Sequence, residues 1–196
     1  MQNSSKEVLL ERAVAALDMK KWTYQMSTSS GVQIVQGDTR RVNLNSRRSI
    51  DLVRYIGQGR YAFVELKVGS DNPLYAAFEV LGYALAYLHA QANEWTGTEN
   101  RDVFGAEAIE LTILGPEDWY KYVKRGTDKE FEFKLNWLAD EIANSLNAFV
   151  TAELKGKPAF TMTFRHFPKG DLRSKENFEQ RAMEIHRLAE SEWWKH

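Results

Sequence analysis

The sequence predicts an α/β domain in which helices flank a central mixed β-sheet. Residues 49–68 hold two strand patterns joined by a glycine-containing connection, which is typical of an antiparallel hairpin. From the second of these strands the pattern continues through a helix to a strand at residues 108–114, and such a unit within one sheet forms a parallel right-handed crossover. With 196 residues, 43% of them hydrophobic, the chain is long enough for one domain with a sizeable core.

The chain before the hairpin predicts one helix and one short strand. Apolar side chains recur at helical spacing over residues 4–20, and Ser4 or Ser5 can cap the start of that helix. The side chains on its apolar side are Val8, Leu9, Ala13, Ala16 and Leu17. Residues 22–45 are mostly polar and contain a short strand pattern at residues 32–35.

The hairpin carries two acids and a lysine on one face. If residues 57–59 form a three-residue loop, Ile56 pairs with Arg60, and counting back along both strands gives the rest of the register. The pairs that follow are Tyr55 with Tyr61, Val53 with Phe63, and Asp51 with Glu65. Lys67 shares the face of the two acids. Directly opposed residues have Cβ atoms roughly 4.5 to 5.5 Å apart, so these like charges repel unless a divalent cation lies between them.

The rest of the chain predicts three more helices and two more strands. The helix after the hairpin, over residues 73–91, is expected to bury Leu74, Phe78, Leu81, Leu85 and Leu88. Its other flank carries Tyr75, Glu79, Tyr83 and Tyr87 in one column, because each lies four residues from the next. Strands are predicted at residues 108–114 and 159–164, and helices at residues 131–150 and about 174–195.

Asp51, followed one strand later by Glu65-Leu66-Lys67 and then by a helix, resembles the motif of the PD-(D/E)XK phosphodiesterase superfamily, which has the three-layer restriction-endonuclease-like fold. The resemblance implies Mg²⁺-dependent cleavage of nucleic acid, with Mn²⁺ as a substitute cofactor. It also implies that Asp51 and Glu65 bind the metal, that the backbone carbonyl of Leu66 adds a ligand, and that Lys67 positions the attacking water. The proline that precedes the aspartate in the family is absent, since Ile50 stands there.

The same resemblance implies roles for residues on two helices. The exonuclease-like branch of the superfamily has a glutamine followed four residues later by a tyrosine, and Glu79 and Tyr83 occupy those places here. Glu79 would then ligate the metal or accept a hydrogen bond from water, and Tyr83 would contact a substrate phosphate. In several branches the first helix offers a glutamate, for which Glu7 and Glu11 are the candidates. Packing for Tyr83 and solvation for the helix acids are the alternatives.

The region around the hairpin holds a local excess of positive charge, although the net charge of the whole chain is −1. Its basic residues are Arg40, Arg41, Arg47, Arg48, Arg54, Arg60 and Lys67. Because arginine binds phosphate oxygens bidentately, Arg47, Arg48 and Arg54 are candidate nucleic-acid contacts beside the metal site. A solvated face explains such a group of arginines equally well.

The predicted function is that of a Mg²⁺-dependent nuclease, a hydrolase that cleaves phosphodiester bonds, with DNA rather than RNA as the expected partner. Whether it acts as an endonuclease or an exonuclease stays open. One alternative is a catalytically inactive module that keeps the nuclease fold and binds nucleic acid or supports assembly. Another is an enzyme on a different scaffold that uses two carboxylates for acid and base chemistry without a divalent ion.

Composition adds expectations about organisation and location. The chain has no cysteine and no apolar run of about 18 residues, so we expect no disulfide, no membrane segment and a cytoplasmic location. Residues 1–196 are expected to form a single domain that ends in the helix at about 174–195. The adjacent Trp193 and Trp194 either pack on that domain or contact a partner, which would give a homodimer.

Overall fold

The computed structural model describes six stretches of the chain: residues 6–27, 49–69, 72–92, 101–123, 130–168 and 175–191. The helices are α1 (Lys6–Leu17), α2 (Pro73–Ala92), α3 (Arg101–Phe104), α4 (Asn136–Glu153) and α5 (Lys175–Ser191). The strands are β1 (Trp22–Ser27), β2 (Ser49–Gly57), β3 (Arg60–Leu66), β4 (Ala108–Pro116), β5 (Lys121–Val123), β6 (Glu130–Glu132) and β7 (Ala159–Phe167).

Five of these strands form a mixed sheet in the order β1-β2-β3-β4-β7. The first three pair antiparallel, whereas β3, β4 and β7 run parallel to one another. Helices α1 and α5 pack together on one face of the sheet, and α2 and α4 cover the other face. This order of helix layer, sheet and helix layer confirms the predicted α/β three-layer architecture and is consistent with a restriction-endonuclease-like fold.

The β2–β3 hairpin has the predicted register except at its turn. Tyr55 pairs with Tyr61 and Val53 pairs with Phe63, as the sequence predicts. Arg60, however, pairs with Gly57 and not with Ile56, because the turn contains two residues instead of three. Gln58 and Gly59 both have positive φ, at 52° and 69°, which is the geometry of the two-residue turns that match strand twist. Gly57, with φ of 116°, absorbs the resulting shift in register.

At the other end of the hairpin, β2 and β3 separate. Their pairing reaches Leu52 and Val64, beyond which β2 continues beside β1 and β3 continues beside β4. Across the opening, Oδ2 of Asp51 accepts a hydrogen bond from the backbone N–H of Leu66 at 2.9 Å. A side-chain oxygen therefore takes the place of a main-chain partner at the point where the strands part.

Helix α1 buries a different side from the predicted one. Leu10, Glu11 and Val14 are buried, while Leu9 and Leu17 are exposed. The helix packs against both α5 and β1. The side that meets them follows Leu10 and Val14, which lie four residues apart and so face the same way. This rotation brings Glu11 into the interior.

Helix α2 also turns a different side toward the sheet. Its buried residues are Pro73, Ala76, Ala77, Val80, Ala84, Tyr87, Leu88 and Ala90. Within the predicted core stripe Leu88 is buried and Leu81 is half-buried, but Leu74, Phe78 and Leu85 are exposed, Phe78 by 71%. The small side chains allow the helix backbone to approach the sheet closely, and in this orientation Glu79 reaches Lys67 just after β3.

Several elements differ from the sequence prediction or extend it. Strand β1 forms within the polar stretch that starts at Trp22, and β5 pairs antiparallel with β6, which the sequence does not predict. The predicted strand at residues 32–35 lies outside the described residues, as do Trp193 and Trp194. Within the described stretches, no helix is both long and apolar enough to cross a membrane.

Strand β7 is at one border of the sheet and is partly covered by a side chain of α4. The amide of Asn147 donates to the carbonyl of Phe160 at 2.8 Å and accepts from its N–H at 2.7 Å. Both backbone groups of Phe160 that face away from β4 are therefore already paired.

Candidate functional site

Lys67 joins β3 to α2 through two carboxylates. Its Nζ atom lies 2.6 Å from Oε1 of Glu65 and 2.8 Å from Oε2 of Glu79. Glu65 and Lys67 are both buried, with 2% and 6% of their surfaces exposed. Residues two apart in an extended chain face the same side, which is why Glu65 and Lys67 meet the same helix. The structure thus brings together three of the residues that the sequence predicts for the site.

Asp51 reaches this group from β2. Its hydrogen bond to the N–H of Leu66 holds the carboxylate beside Glu65, with which it interacts electrostatically. The N–H of Lys67 is directed to Leu114 of β4. Because neighbouring residues in a strand direct their backbone groups to opposite sides, Leu66 directs its N–H and carbonyl toward the β2 side, where Asp51 lies.

Glu11 is a further member of the cluster, contributed by α1. It is 2% exposed, and its charge acts on both Asp51 and Glu65. Burial raises the pKa of Glu11 to about 7, against the opposing effect of a hydrogen bond from Gln25. Glu7, one turn earlier in α1, accepts a hydrogen bond from the N–H of Val68 at 3.3 Å. Of the two helix acids that the sequence left open, Glu11 lies inside the protein.

The pKa values of the central groups shift in directions that follow from burial and charge. Burial raises the pKa of both Asp51 and Glu65, and repulsion from Glu11 and Asp51, respectively, raises them further. For Lys67, burial lowers the pKa, but the carboxylates of Glu65 and Glu79 outweigh burial and the net direction is upward. Lys67 is therefore an ammonium ion at neutral pH. It can donate hydrogen bonds and stabilise negative charge, whereas a role as a base would require losing a firmly held proton.

Tyr83 lies on α2 above the same group. Burial and the charges of Glu65 and Asp51 raise the pKa of its phenol, and its hydroxyl is within hydrogen-bonding reach of Glu65. The predicted pair of Glu79 and Tyr83 therefore meets the carboxylate cluster, with Glu79 at Lys67 and Tyr83 at Glu65.

The side chains of the cluster offer carboxylate oxygens, the type of ligand that a hard divalent cation prefers. Glu65 and Glu79 contact the ammonium of Lys67, Asp51 interacts with it electrostatically, and Glu11 adds a fourth carboxylate that acts on Asp51 and Glu65. Oε2 of Glu11 and Oε2 of Glu65 are buried without a hydrogen-bond partner among the described residues. Within those residues, no group of three or more His, Cys, Asp or Glu side chains is placed to hold a metal ion as it stands. Mg²⁺ needs less, since it is usually bound through one or two carboxylates and keeps several waters.

The structure does not bring Arg54, one of the three predicted arginines, to this cluster. Arg54 is 3% exposed and lies beneath α5, where Nη1 donates to the carbonyl of Ala189 at 2.6 Å and Nη2 pairs with Glu190. Its side chain also covers the ring of Trp22. Arg54 thus anchors a helix and is not placed to contact a phosphate at the cluster. Arg47 and Arg48 lie outside the described residues.

The burial of Glu11 is the main feature of the site that sequence reasoning missed. Leu10 and Val14 stand four residues apart and flank Glu11, a spacing that gives them a common side of the helix next to the glutamate. That signal competes with an equally periodic set at Val8, Leu9 and Ala13, so the sequence does not decide between the two orientations.

Comparison of the chain with protein-family models, with curated proteins and with solved structures finds no match. The functional proposal therefore depends on the residues of the cluster and on their geometry.

Proposed function

We propose that the protein is a metal-dependent nuclease that hydrolyses phosphodiester bonds at the cluster of Asp51, Glu65 and Lys67. The observation that supports this proposal is a buried excess of carboxylates around one ammonium ion. Such an excess destabilises a fold, because buried like charges repel and are poorly solvated. Perturbed titratable groups of this kind concentrate at functional sites.

Asp51, Glu65 and the carbonyl of Leu66 would hold the cofactor, for which Mg²⁺ is the proposed ion and Mn²⁺ a substitute. When bound, the ion would supply Lewis-acid polarisation of a phosphate and activation of water. The protein residues hold the ligand oxygens in position. The hydrogen bond from Leu66 fixes one oxygen of Asp51 at the end of the hairpin where β2 and β3 no longer pair. Glu11 adds negative charge to the same region.

Lys67 would position the attacking water and offset charge on the phosphate. Its ammonium has three N–H donors, and Glu65 and Glu79 lie against it on two sides. The remaining donor can be offered to a substrate or to water. A fixed cation aimed at developing negative charge is among the strongest catalytic effects in a buried site. Glu79, in this arrangement, orients Lys67.

Cleavage assays with the purified protein test the proposal. Labelled DNA and RNA, single-stranded and duplex, are incubated with Mg²⁺, with Mn²⁺ and with EDTA. We expect cleavage that requires the metal, that falls by at least about 100-fold in Lys67→Ala, and that is unaffected in Lys134→Ala, a change at an exposed lysine preceding α4. Uncut substrates under all metal conditions, or equal activity in both variants, would refute it.

A second candidate is a nucleic-acid-binding or assembly module without turnover. It is favoured by the ion pairs of Lys67, which engage Glu65 and Glu79 closely and need no metal to do so. Titration calorimetry separates the two functions. A nuclease binds Mg²⁺ or Mn²⁺ in a manner that depends on Asp51 and Glu65, whereas a module held by ion pairs alone shows no such carboxylate-dependent heat.

A further inference from the structure

A groove of about 440 Å³ is lined by residues of β1, β2 and β3, by the turn before β1 and by Val103 of α3. The residues that give it its character are Lys20, Lys21, Met26, Val53, Tyr55 and Tyr61. Met26 and Val53 are buried apolar residues of the lining, and the two tyrosines form an aromatic wall. Lys20 is exposed and supplies the cation, because the ammonium of Lys21 is held by Glu190 on the α5 side of the sheet. Among the described residues, no acid lines the groove. An aromatic wall beside cationic groups is the combination that binds single-stranded nucleic acid.

Tyr55 presents an open ring. It is 41% exposed and pairs across the hairpin with Tyr61, which is buried. The ring centroids lie 5.2 Å apart at an interplanar angle of 48°. The backbone N–H of Tyr55 also donates to the carbonyl of Lys21 at 2.8 Å, which ties the aromatic wall to the turn that carries Lys20. A ring supported from behind and open in front can stack on a base with little loss of side-chain entropy.

The groove and the carboxylate cluster lie toward opposite ends of β3. On β3, Tyr61 and Glu65 are four residues apart and share a face, so they lie about 13 Å from each other along the strand. On β1, Met26 lines the groove and pairs with Ile50, the residue before Asp51. Phe63 lies between Tyr61 and Glu65 and is fully buried beneath α2, so the groove and the cluster are separate features of the surface.

We propose that this groove binds single-stranded nucleic acid, with a base stacked on Tyr55 and a phosphate at Lys20. This binding does not rest on the proposed nuclease function. A single strand fits better than a duplex, because stacking on a side chain requires an unpaired base. Lys20 is the better phosphate contact of the two lysines, since Nζ of Lys21 already lies 3.0 Å from Glu190.

Fluorescence anisotropy tests the binding step. A short labelled DNA strand, alone or annealed to its complement, is titrated with the protein in EDTA, where metal-dependent cleavage cannot occur. We expect the single strand to bind more tightly than the duplex, and Tyr55→Ala to weaken it by at least about fivefold. Tyr55→Phe should retain binding, because it keeps the ring. In Lys20→Ala the dependence of log affinity on log salt should lose about 0.7 of its slope, the contribution of one single-strand phosphate.

Tyr24→Ala is the matched control for the aromatic contact. Tyr24 is 44% exposed, close to the value for Tyr55, but it lies under Arg12 of α1 on the opposite side of the sheet. Lys134→Ala serves as the control for charge. Both controls should bind as the wild type does, and thermal melts establish that every variant is folded.

The outcomes separate this inference from the proposed function. Equal binding of single strand and duplex, or no difference between Tyr55→Ala and Tyr24→Ala, overturns the groove as a single-strand site, even if the protein cleaves DNA. Preferential single-strand binding that depends on Tyr55 supports the groove, even if no cleavage occurs with any metal. In a cleaving protein, Tyr55→Ala should raise KM for a single-stranded substrate and leave kcat nearly unchanged.

Discussion

Nζ of Lys67 lies 2.6 Å from Oε1 of Glu65, a residue only two positions earlier in the chain. The two side chains share a face because the backbone between them is extended, and the second contact of Lys67, to Glu79, connects that face to α2. One ammonium ion therefore links the end of β3 to the helix that follows it, in the region where β2 and β3 part.

Removing this ammonium should destabilise the protein in a pH-dependent way. In Lys67→Ala, Glu65 loses a buried partner, and breaking a buried pair costs about 3 to 5 kcal/mol when the remaining group stays charged. At pH 5.5 Glu65 can take up a proton instead, since burial and Asp51 raise its pKa. We therefore expect a larger loss in the free energy of unfolding at pH 8 than at pH 5.5, measured by urea denaturation in EDTA. An equal loss at both values would contradict the charged pair.

The metal-free protein should lose stability as the pH rises from mild acid. Burial raises the pKa of Glu11 from 4.5 to about 7 in the folded state. Between these values the folded state binds more protons than the unfolded state, so the contribution of Glu11 is fully present below pH 4.5 and is lost as the pH rises through 7. Asp51 and Glu65 act in the same direction.

Thermal melts in EDTA across this range check the prediction through Glu11→Gln. Glutamine has nearly the shape of the protonated acid and cannot ionise, so the variant should show a shallower decline of Tm between pH 5 and pH 8. Glu153→Gln, a change at an exposed acid of α4, should follow the wild-type curve. A decline of the same steepness in Glu11→Gln and wild type would show that Glu11 does not titrate in this way.

Divalent ions should reverse part of the loss at alkaline pH. If Asp51 and Glu65 bind Mg²⁺, the folded state gains about 2.7 kcal/mol at a concentration 100 times the dissociation constant. The Tm at pH 8 should rise with Mg²⁺ or Mn²⁺ in the wild type and stay constant in Asp51→Asn. Asp140→Asn, at an exposed position of α4, keeps the wild-type response. A rise in Tm that survives Asp51→Asn would place any bound ion elsewhere.

Arg54→Ala should loosen α5 and leave the chemistry intact. The guanidinium holds the carbonyl of Ala189 and the carboxylate of Glu190, and hydrogen bonds involving charged groups contribute about 1.5 to 3 kcal/mol each. Unfolding should become easier by about 2 to 3 kcal/mol, and hydrogen exchange should accelerate at the C-terminal end of α5. Arg187→Ala, at an exposed position of the same helix, should change neither measurement. Cleavage per folded molecule should equal that of the wild type, and a selective loss of cleavage would restore Arg54 as a substrate contact.

The sequence predicts the sheet better than the helix orientations. Strand pairing follows from alternation and from the position of the turn, and so Val53 and Phe63 are matched correctly despite the shorter loop. Helices α1 and α2 each carry apolar residues on more than one side. Which side faces the sheet depends on how closely the helix can approach. For that reason α2 turns its alanines toward the sheet, and most of its leucines and its phenylalanine stay outside.

At the site, too, the sequence predicts the residues on strands better than the residues on helices. Asp51 and Glu65 lie on strands, Lys67 directly follows β3, and the three are found together, whereas the position of Glu11 depends on the rotation of a helix. Arg54 is adjacent to the predicted site in sequence but alternates to the side of the sheet that meets α5. Charge clustering along a chain therefore does not reveal which side of a strand receives each arginine.

Asn147 affects the tendency of the protein to aggregate through its edge strand β7. An unpaired outer strand is a template on which other chains can polymerise, and native proteins commonly obstruct it. Because the amide of Asn147 pairs with both the N–H and the carbonyl of Phe160, it removes one position near the start of β7 at which another strand could pair. Replacing Asn147 would leave the N–H and carbonyl of Phe160 open to pair with an extended segment of another molecule. The amide therefore limits fibril seeding and has no part in catalysis.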